Sequence, residues 1–213
     1  MVRDILFRAM DMHMTLTVKN IQCIRHNRTL FSNIDFSISS GELLQVIGNN
    51  GVGKSSLLRI VAGLLAPESG HIFWNNQLRS QSDFYQKAYY LGHFLAIKSE
   101  LTVLENIFLS SKKINHDQKS IVEKWLLTPF LNSFCGMLSQ GQLQRVALAK
   151  LQLSNALIWI LDEPFSHLDT QGVLHLKALL SSHVKQGGLV LLSAHHDIEL
   201  DVRQSTLNLL GDN

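Results

Sequence analysis

Residues 48–55 read GNNGVGKS, a glycine-rich segment that ends in Lys54 and Ser55. The segment fits the pattern GxxxxGK followed by Ser or Thr, and it stands between an apolar run at 43–47 and a helical pattern at 56–60. Glycines allow consecutive backbone N–H groups to curl around phosphate oxygens, and the N-terminus of the next helix adds a partial positive charge. A plain glycine turn with a surface lysine is the alternative, which the strand–loop–helix order disfavours. The expected phosphate-binding residues are Gly48, Asn49, Asn50, Gly51, Val52, Gly53, Lys54, Ser55 and Ser56.

Two side chains of this loop have predicted roles in nucleotide chemistry. Lys54 is expected to hold the β- and γ-phosphates and to act in catalysis, and the Ser55 hydroxyl is expected to ligate Mg²⁺. ATP and Mg²⁺ are therefore the predicted cofactors.

Apolar runs that end in polar residues occur three times. Runs that are apolar on both faces are typical of parallel strands covered by helices on both sides. Ligands of open α/β sheets bind beyond the carboxyl ends of the strands, so these runs predict one site rather than unrelated core strands. The runs are 43–47 before Gly48, 157–161 before Asp162 and Glu163, and 189–192 before Ser193, Ala194 and His195.

The two adjacent carboxylates suit different tasks. Asp162 is a suitable Mg²⁺ ligand together with Ser55, because this hard cation prefers oxygen ligands. Adjacent side chains point in different directions, so Glu163 can face the γ-phosphate and polarise an attacking water. Two acids on a surface turn are the alternative, which the buried strand before them disfavours.

An amphipathic helix begins at residues 138–142, LSQGQ, which form the signature segment. Ser139 and Gln142 have the spacing of a capping box, which explains both residues but not Gly141. We expect Ser139, Gly141 and Gln142 to direct the positive helix N-terminus at the γ-phosphate of a second nucleotide.

The remaining sequence predicts the surroundings of this site. Residues 14–24 and the positions Ile34, Phe36 and Ile38 alternate between apolar and polar, as half-exposed antiparallel strands do. Residues 94–152 have helical periodicity, with Thr102 as a possible cap, and predict a helical subdomain inserted in an α/β core. We expect an N-terminal extension at 1–13 and a single domain at 14–213.

Composition excludes several classes of protein. The chain has 213 residues, 46% hydrophobic and 17% charged, which suits one folded domain. A net charge of +2 does not indicate the broad basic surface that nucleic-acid binding requires. Neither a membrane span of about 20 apolar residues nor a signal peptide is evident, which predicts a cytosolic chain or one attached to a membrane through partners. Cys23 and Cys135 are expected to be buried free thiols, and ten histidines without CxxCH disfavour a haem carrier.

The order GNNGVGKS, LSQGQ, LIWILDEP, SHLD and LLSAHH resembles the ABC ATPase family from Met14 onward. This resemblance implies a P-loop NTPase of ABC ATPase type, with an N-terminal antiparallel β subdomain and an inserted helical subdomain. It implies ATP hydrolysis by a homodimer in which the signature segment of one subunit completes the site of the other. Residues 166–169 resemble the D-loop that links the two sites, and His195, rather than His196, resembles the switch histidine at the γ-phosphate.

Positions 25, 93 and 140 depart from the family pattern. His93 stands where a glutamine usually reaches the metal site, and a neutral imidazole can accept from a Mg²⁺-bound water, so we expect it to bind nucleotide and metal. Arg25 stands where an aromatic residue stacks on adenine, which a guanidinium plane can also do. Gln140 replaces the first glycine of the signature, while Gly141 is kept.

Several short stretches resemble one branch of the family, the CcmA ATPases of bacterial cytochrome c maturation, once described as haem exporters. This resemblance implies a role in c-type cytochrome biogenesis through haem export or haem-chaperone release, and a CcmB-like integral membrane permease as partner. It places the chain peripherally at the cytoplasmic face of the bacterial inner membrane.

A transporter ATPase for a lipid or lipoprotein is the alternative. A soluble ABC protein acting on nucleic acid or ribosomes usually has two ATPase halves or a long coiled coil, and this sequence has neither. The stretches are 23–25, 29–31, 90–93, 97–98, 159–165 and 186–188.

Overall fold

The fold is built on two β-sheets. The computed structural model describes residues 14–108 and 116–210, so the predicted extension at 1–13 lies outside the described residues. The strands are β1 (Thr15–Arg25), β2 (Arg28–Ser39), β3 (Leu43–Ile47), β4 (Ser69–Trp74), β5 (Gln77–Leu78), β6 (Ala88–Leu91), β7 (Ile158–Asp162), β8 (Leu189–Ala194) and β9 (Gln204–Asn208). The helices are α1 (Lys54–Ala62), α2 (Phe84–Lys87), α3 (Val103–Phe108), α4 (His116–Lys124), α5 (Gln140–Leu153) and α6 (Thr170–Lys185).

The first sheet is antiparallel, with the order β2-β1-β4-β5. Leu16, Val18, Ile21 and Cys23 of β1 are buried. The register shifts between Val18 and Ile21, where Asn20 has a φ of 51°, so the alternation of buried residues moves by one position there. The predicted antiparallel strands are confirmed, and the bulge explains why the sequence pattern is imperfect.

The second sheet is parallel, with the order β6-β7-β8-β3-β9. The predicted apolar runs form β7, β8 and β3 at its centre. Ile47 pairs with Ala194, and Asp162 pairs with Ser193, so these strands end level with one another. The residues that follow them therefore meet at one edge of the sheet, as the sequence predicts.

Helix α1 packs between the two sheets. Leu57, Leu58, Ile60 and Val61 are fully buried there among residues of both sheets. Each such side chain contributes about 1.5–3 kcal/mol through removal of apolar surface from water. Burial on both sides fixes the position of the loop that precedes α1.

Helices α3, α4, α5 and α6 cover the other face of the parallel sheet. The helix α3 starts with a capping box, in which Glu105 N donates to Thr102 Oγ1 (3.2 Å) and Thr102 N donates to Glu105 Oε2 (2.8 Å). Helices α3 to α5 lie within the predicted subdomain at 94–152, whose boundaries remain a prediction and whose residues 109–115 lie outside the described part.

The helix α5 is buried over more than the single stripe that its sequence predicts. The amphipathic pattern predicts an apolar stripe of Leu143, Val146, Ala147 and Leu151, of which Leu143 is half-buried and the other three are buried. Leu148 and Ala149 are fully buried as well. The reason is that α5 lies among α3, α4, α6 and β6, so apolar neighbours surround it on several sides.

The two cysteines are buried free thiols, as expected. Burial raises the pKa of both Cys23 and Cys135 above the ordinary thiol value. No helix in residues 14–108 or 116–210 has both the length and the apolar character that crossing a bilayer requires.

The His183 side chain gives the fold a predictable response to acid. Its ring stacks on Trp159 with centroids 3.6 Å apart, and His183 Nε2 lies 3.1 Å from the Leu157 carbonyl oxygen. Burial lowers the pKa of His183 from 6.5 to about 4, so the folded chain keeps this imidazole neutral where the unfolded chain protonates it. Stability from this group is present above pH 6.5 and is lost as the pH falls toward 4, by about 1–3 kcal/mol.

Urea unfolding at pH 7 and at pH 4.5 measures this effect. The His183→Phe variant keeps a stacking ring that does not titrate, so its loss of stability between these pH values should be smaller than that of the parent. An equal loss in both proteins would contradict the assignment to His183.

Candidate functional site

The loop between β3 and α1 has a backbone that requires glycine. Gly53 has a φ of 106°, a conformation that L side chains rarely adopt. A Cβ atom at Gly53 would also lie 2.8 Å from the Phe31 ring, which is itself buried. Gly53 is therefore required both by the turn and by the close packing of β2 against the loop.

Lys54 closes this loop onto itself. Its buried ammonium donates to the carbonyl oxygens of Gly48 (2.7 Å) and Asn49 (3.1 Å). No side chain caps α1 at Gly53, and the first amides of a helix have no intrahelical acceptor, so those of Ser55 and Ser56 are available to an anion. A positive charge and free amides at a helix N-terminus form a binding site for phosphate groups.

Asp162 lies at the end of β7 with an incompletely satisfied carboxylate. Its Oδ1 accepts from the hydroxyls of Ser55 (3.0 Å) and Ser193 (2.7 Å). Its Oδ2 is buried and has no hydrogen-bond partner among the described residues. A buried carboxylate oxygen without a partner is destabilising unless a cation or donor reaches it. Ser55 and Asp162, both hard oxygen donors, therefore fit Mg²⁺.

Glu163 adopts a strained backbone conformation beside this carboxylate. Its φ is 51°, in the left-handed region, which costs a non-glycine residue about 1–3 kcal/mol. The Glu163 N–H donates to Ser193 Oγ (2.8 Å), and its Oε1 lies 3.1 Å from His195 Nε2. The contacts hold the glutamate between β7 and the loop after β8, and they join the two residues that the sequence predicts to act on the γ-phosphate.

Ser193 belongs to the site although the sequence pattern predicts no role for it. Its hydroxyl accepts from the Glu163 N–H and donates to Asp162 Oδ1, so one buried side chain orients both acidic residues. The only sequence signal is a hydroxyl at the end of an apolar strand. Beside it, a cavity of about 350 Å³ opens between Glu163, His195 and α6.

The signature segment forms the predicted capping box. The Gln142 N–H donates to Ser139 Oγ (3.3 Å), and the Ser139 N–H donates to Gln142 Oε1 (2.8 Å). A Cβ atom at Gly141 would lie 2.8 Å from the His167 carbonyl oxygen, so glycine allows α5 to approach residues 166–169 closely. No hydrogen bond in the described part of the chain joins 139–142 to the phosphate loop.

An ion pair fixes the signature helix to the start of α6. Arg145 Nη2 lies 2.9 and 2.8 Å from the two carboxylate oxygens of Asp169. Asp169 also caps α6, because its Oδ1 accepts from the Gly172 N–H (2.9 Å). The Gly172 N–H and then the Arg145 guanidinium hold the pKa of Asp169 below its ordinary value. Asp169 therefore links the start of α6 to α5 as a carboxylate.

Comparison with known proteins identifies the family. The sequence model described as "ABC transporter" matches residues 31–166. The chain belongs to the ABC transporter family. This ABC protein is an ATPase that binds ATP.

Two relatives support the same assignment, and a solved structure shows the same fold. A protein of Aliivibrio fischeri named "Cytochrome c biogenesis ATP-binding export protein CcmA" is 43% identical over 203 residues, covering 92% of this chain and 100% of that protein. A Vibrio cholerae protein of the same name is 44% identical, with coverages of 92% and 99%. A putative ABC transporter ATP-binding protein of Pyrococcus furiosus shares the fold, with a TM-score of 0.77, 24% identity and coverages of 92% and 97%. The predicted fold class is confirmed.

Two of the three positions that depart from the family pattern, 25 and 93, lie on the surface of this ABC ATPase. Arg25 is exposed at the end of β1 and pairs with Arg28 across the β1–β2 hairpin. His93 is exposed after β6, with its ring edge-to-face against Phe94 at 6.1 Å. Within the described residues, hydrogen bonds link neither side chain to Ser55 or Asp162. Their nucleotide and metal contacts remain predictions.

Proposed function

We propose that this chain is the ATP-hydrolysing, energy-coupling subunit of an ABC transporter complex that acts in c-type cytochrome biogenesis. The observation that carries the proposal is the match to relatives named as cytochrome c biogenesis ATP-binding export proteins along almost the whole of both chains. Its chemistry is supported by the hydrogen-bonded residues Ser55, Asp162, Ser193, Glu163 and His195.

Nucleotide binding starts at the phosphate loop. Lys54 exchanges its loop carbonyls for β- and γ-phosphate oxygens, while the amides of residues 51–56 bind further phosphate oxygens. Ser55 and Asp162 would hold Mg²⁺, which supplies neutralisation of phosphate charge when bound. Arg25 is proposed to stack on the adenine ring.

Hydrolysis depends on Glu163 and His195. The Glu163 carboxylate orients a water toward the γ-phosphate and accepts its proton as the water oxygen bonds to the γ-phosphorus. The bond from that phosphorus to the bridging oxygen breaks in the same step, and ADP and phosphate leave. His195 holds Glu163 in place at 3.1 Å before ATP arrives, and its imidazole then contacts the γ-phosphate. The bond from the Glu163 N–H to Ser193 fixes the backbone, and His195 holds the carboxylate, so little reorganisation is needed during the reaction.

The complete site requires a second copy of the chain. Ser139, Gly141 and Gln142 lie at a helix N-terminus that is tied to the start of α6 instead of its own phosphate loop. A two-fold homodimer brings each signature segment to the γ-phosphate held by the other subunit and closes both sites at once. Asp169 and Arg145 then transmit movement between the two sites.

Closure and reopening of this dimer change the conformation of the membrane partners. ABC ATPase subunits work with permease subunits, and the proposed partner here is a CcmB-like integral membrane protein. We place the contact near His93 and the helical subdomain at 94–152, with the chain at the cytoplasmic face of the bacterial inner membrane. We expect no nucleic-acid partner.

Deletion of the gene tests this function in cells. Loss of the chain should abolish covalent haem attachment to c-type cytochromes and leave b-type haem proteins unaffected. A Glu163→Gln copy should assemble at the membrane and fail to restore haem attachment, because without ATP hydrolysis the partner does not go through its conformational change. Haem-stained gels give the result. Normal c-type cytochromes in the deletion strain would exclude this role and favour a transporter for a lipid or lipoprotein, with the ATPase chemistry unchanged.

A further inference from the structure

Strand β3 carries one fully buried amide among apolar side chains. Gln45 has 0% of its surface exposed, and Leu43 and Ile47, which lie on the same face of the strand, belong to the hydrophobic cluster on that side of the sheet. A buried amide is destabilising unless its donors and its acceptor are satisfied. The partners of Gln45 therefore indicate what this residue does.

The Gln45 amide bonds to the loop that follows the switch histidine. Its Nε2 donates to Asp197 Oδ1 (2.8 Å) and to the Ile198 carbonyl oxygen (2.8 Å). Its Oε1 accepts from the Ile198 N–H (2.9 Å). These bonds use both N–H groups and the oxygen of the amide, so a shift of this loop would leave a buried amide unsatisfied.

The loop is consequently fixed at two points. His195, at its start, lies 3.1 Å from Glu163, and residues 197–198 are bound to Gln45 two and three positions later. β3 and β8 are adjacent parallel strands, with Gln45 opposite Leu192, so the anchor belongs to the rigid centre of the sheet. The same strand leads directly into the phosphate loop. One element thus sets the distance between the phosphates and the histidine.

We propose that Gln45 is a positioning residue for ATP hydrolysis, which holds residues 195–198 so that the His195 imidazole reaches Glu163 and the γ-phosphate. Gln45 itself touches neither the nucleotide nor Glu163. Its contribution to the rate passes through His195. A residue that merely stabilises the fold would lower activity whether or not His195 is present.

A double-mutant cycle distinguishes these two roles. Gln45→Leu has a similar volume and removes all three bonds, so we expect kcat to fall about tenfold, with the KM for ATP unchanged within about twofold. In a His195→Ala background, the same substitution should change the single-turnover rate by less than about twofold, because the group it positions is already absent. An equal fall in both backgrounds, or a rise in KM alone, would overturn the proposal.

Substitutions at the exposed Asp197 provide a second route that does not disturb the core. Asp197→Ala removes one of the bonds to Gln45, whereas Asp197→Asn keeps an oxygen that accepts from Nε2. We expect Asp197→Ala to lower kcat about threefold only when His195 is present, and Asp197→Asn to stay near the parent rate. If Gln45→Leu does not fold, the two Asp197 variants test the positioning role on their own. A kcat for Asp197→Ala equal to that of the parent would overturn the proposal.

Discussion

Replacement of Glu163 by Gln is expected to lower steady-state ATP hydrolysis by about 10²–10⁴-fold while ATP binding is retained. The amide has the size of the carboxylate and keeps an oxygen that accepts from His195 Nε2, so the geometry at 3.1 Å is preserved. The substitution removes the negative charge that is proposed to orient the water and the basic oxygen that is proposed to accept its proton. Phosphate release measures the rate, and equilibrium binding of a fluorescent ATP analogue measures affinity.

Lys54→Ala is the matched comparison for this result. Its ammonium closes the phosphate loop and would contact the phosphates, so its loss should weaken ATP binding itself. The two variants therefore separate binding from chemistry. A Glu163→Gln protein that releases phosphate at close to the parent rate would remove Glu163 from the mechanism.

Replacement of Ser139 by Asp is expected to lower ATP turnover by about 100-fold without weakening the binding of ATP to the monomer. Aspartate caps helices as well as serine does, so the start of α5 should remain intact. Its negative charge, however, would face the γ-phosphate of the second subunit and oppose closure of the dimer. The position is exposed, so the charge carries no burial cost in the isolated chain.

Ser139→Asn provides the control at the same position. Asparagine also caps the helix and adds no charge, so it should retain much more activity than Ser139→Asp. Phosphate release from both variants at saturating ATP gives the comparison. Equal losses would show that the shape of the residue, rather than its charge toward a second nucleotide, limits turnover.

Elements with a strong local signal were predictable from the sequence. The glycines of the phosphate loop, the apolar strands β3, β7 and β8, and the capping box at Ser139 each follow from the conformational and burial preferences of a few adjacent residues. The edge at which Asp162 and His195 meet follows from the parallel order of those strands.

Contacts between distant residues were not predictable in the same way. Ser193 bonds to Asp162 across 31 positions, and Gln45 bonds to Asp197 across 152. Such pairs depend on strand order and register, which the hydrophobic pattern of a single strand does not contain. The left-handed backbone of Glu163 was equally unforeseen, since glutamate has no preference for it. These are also the residues that set the geometry of the site.

Light scattering of the Glu163→Gln protein tests whether two subunits share their nucleotide sites. With ATP and Mg²⁺ the variant should have twice the 24.0 kDa mass of the chain, because hydrolysis no longer reopens the closed dimer. Without nucleotide, or with Ser139→Asp added, it should remain a monomer. A monomer with saturating ATP at high protein concentration would contradict the claim that each signature segment completes the site of the other subunit.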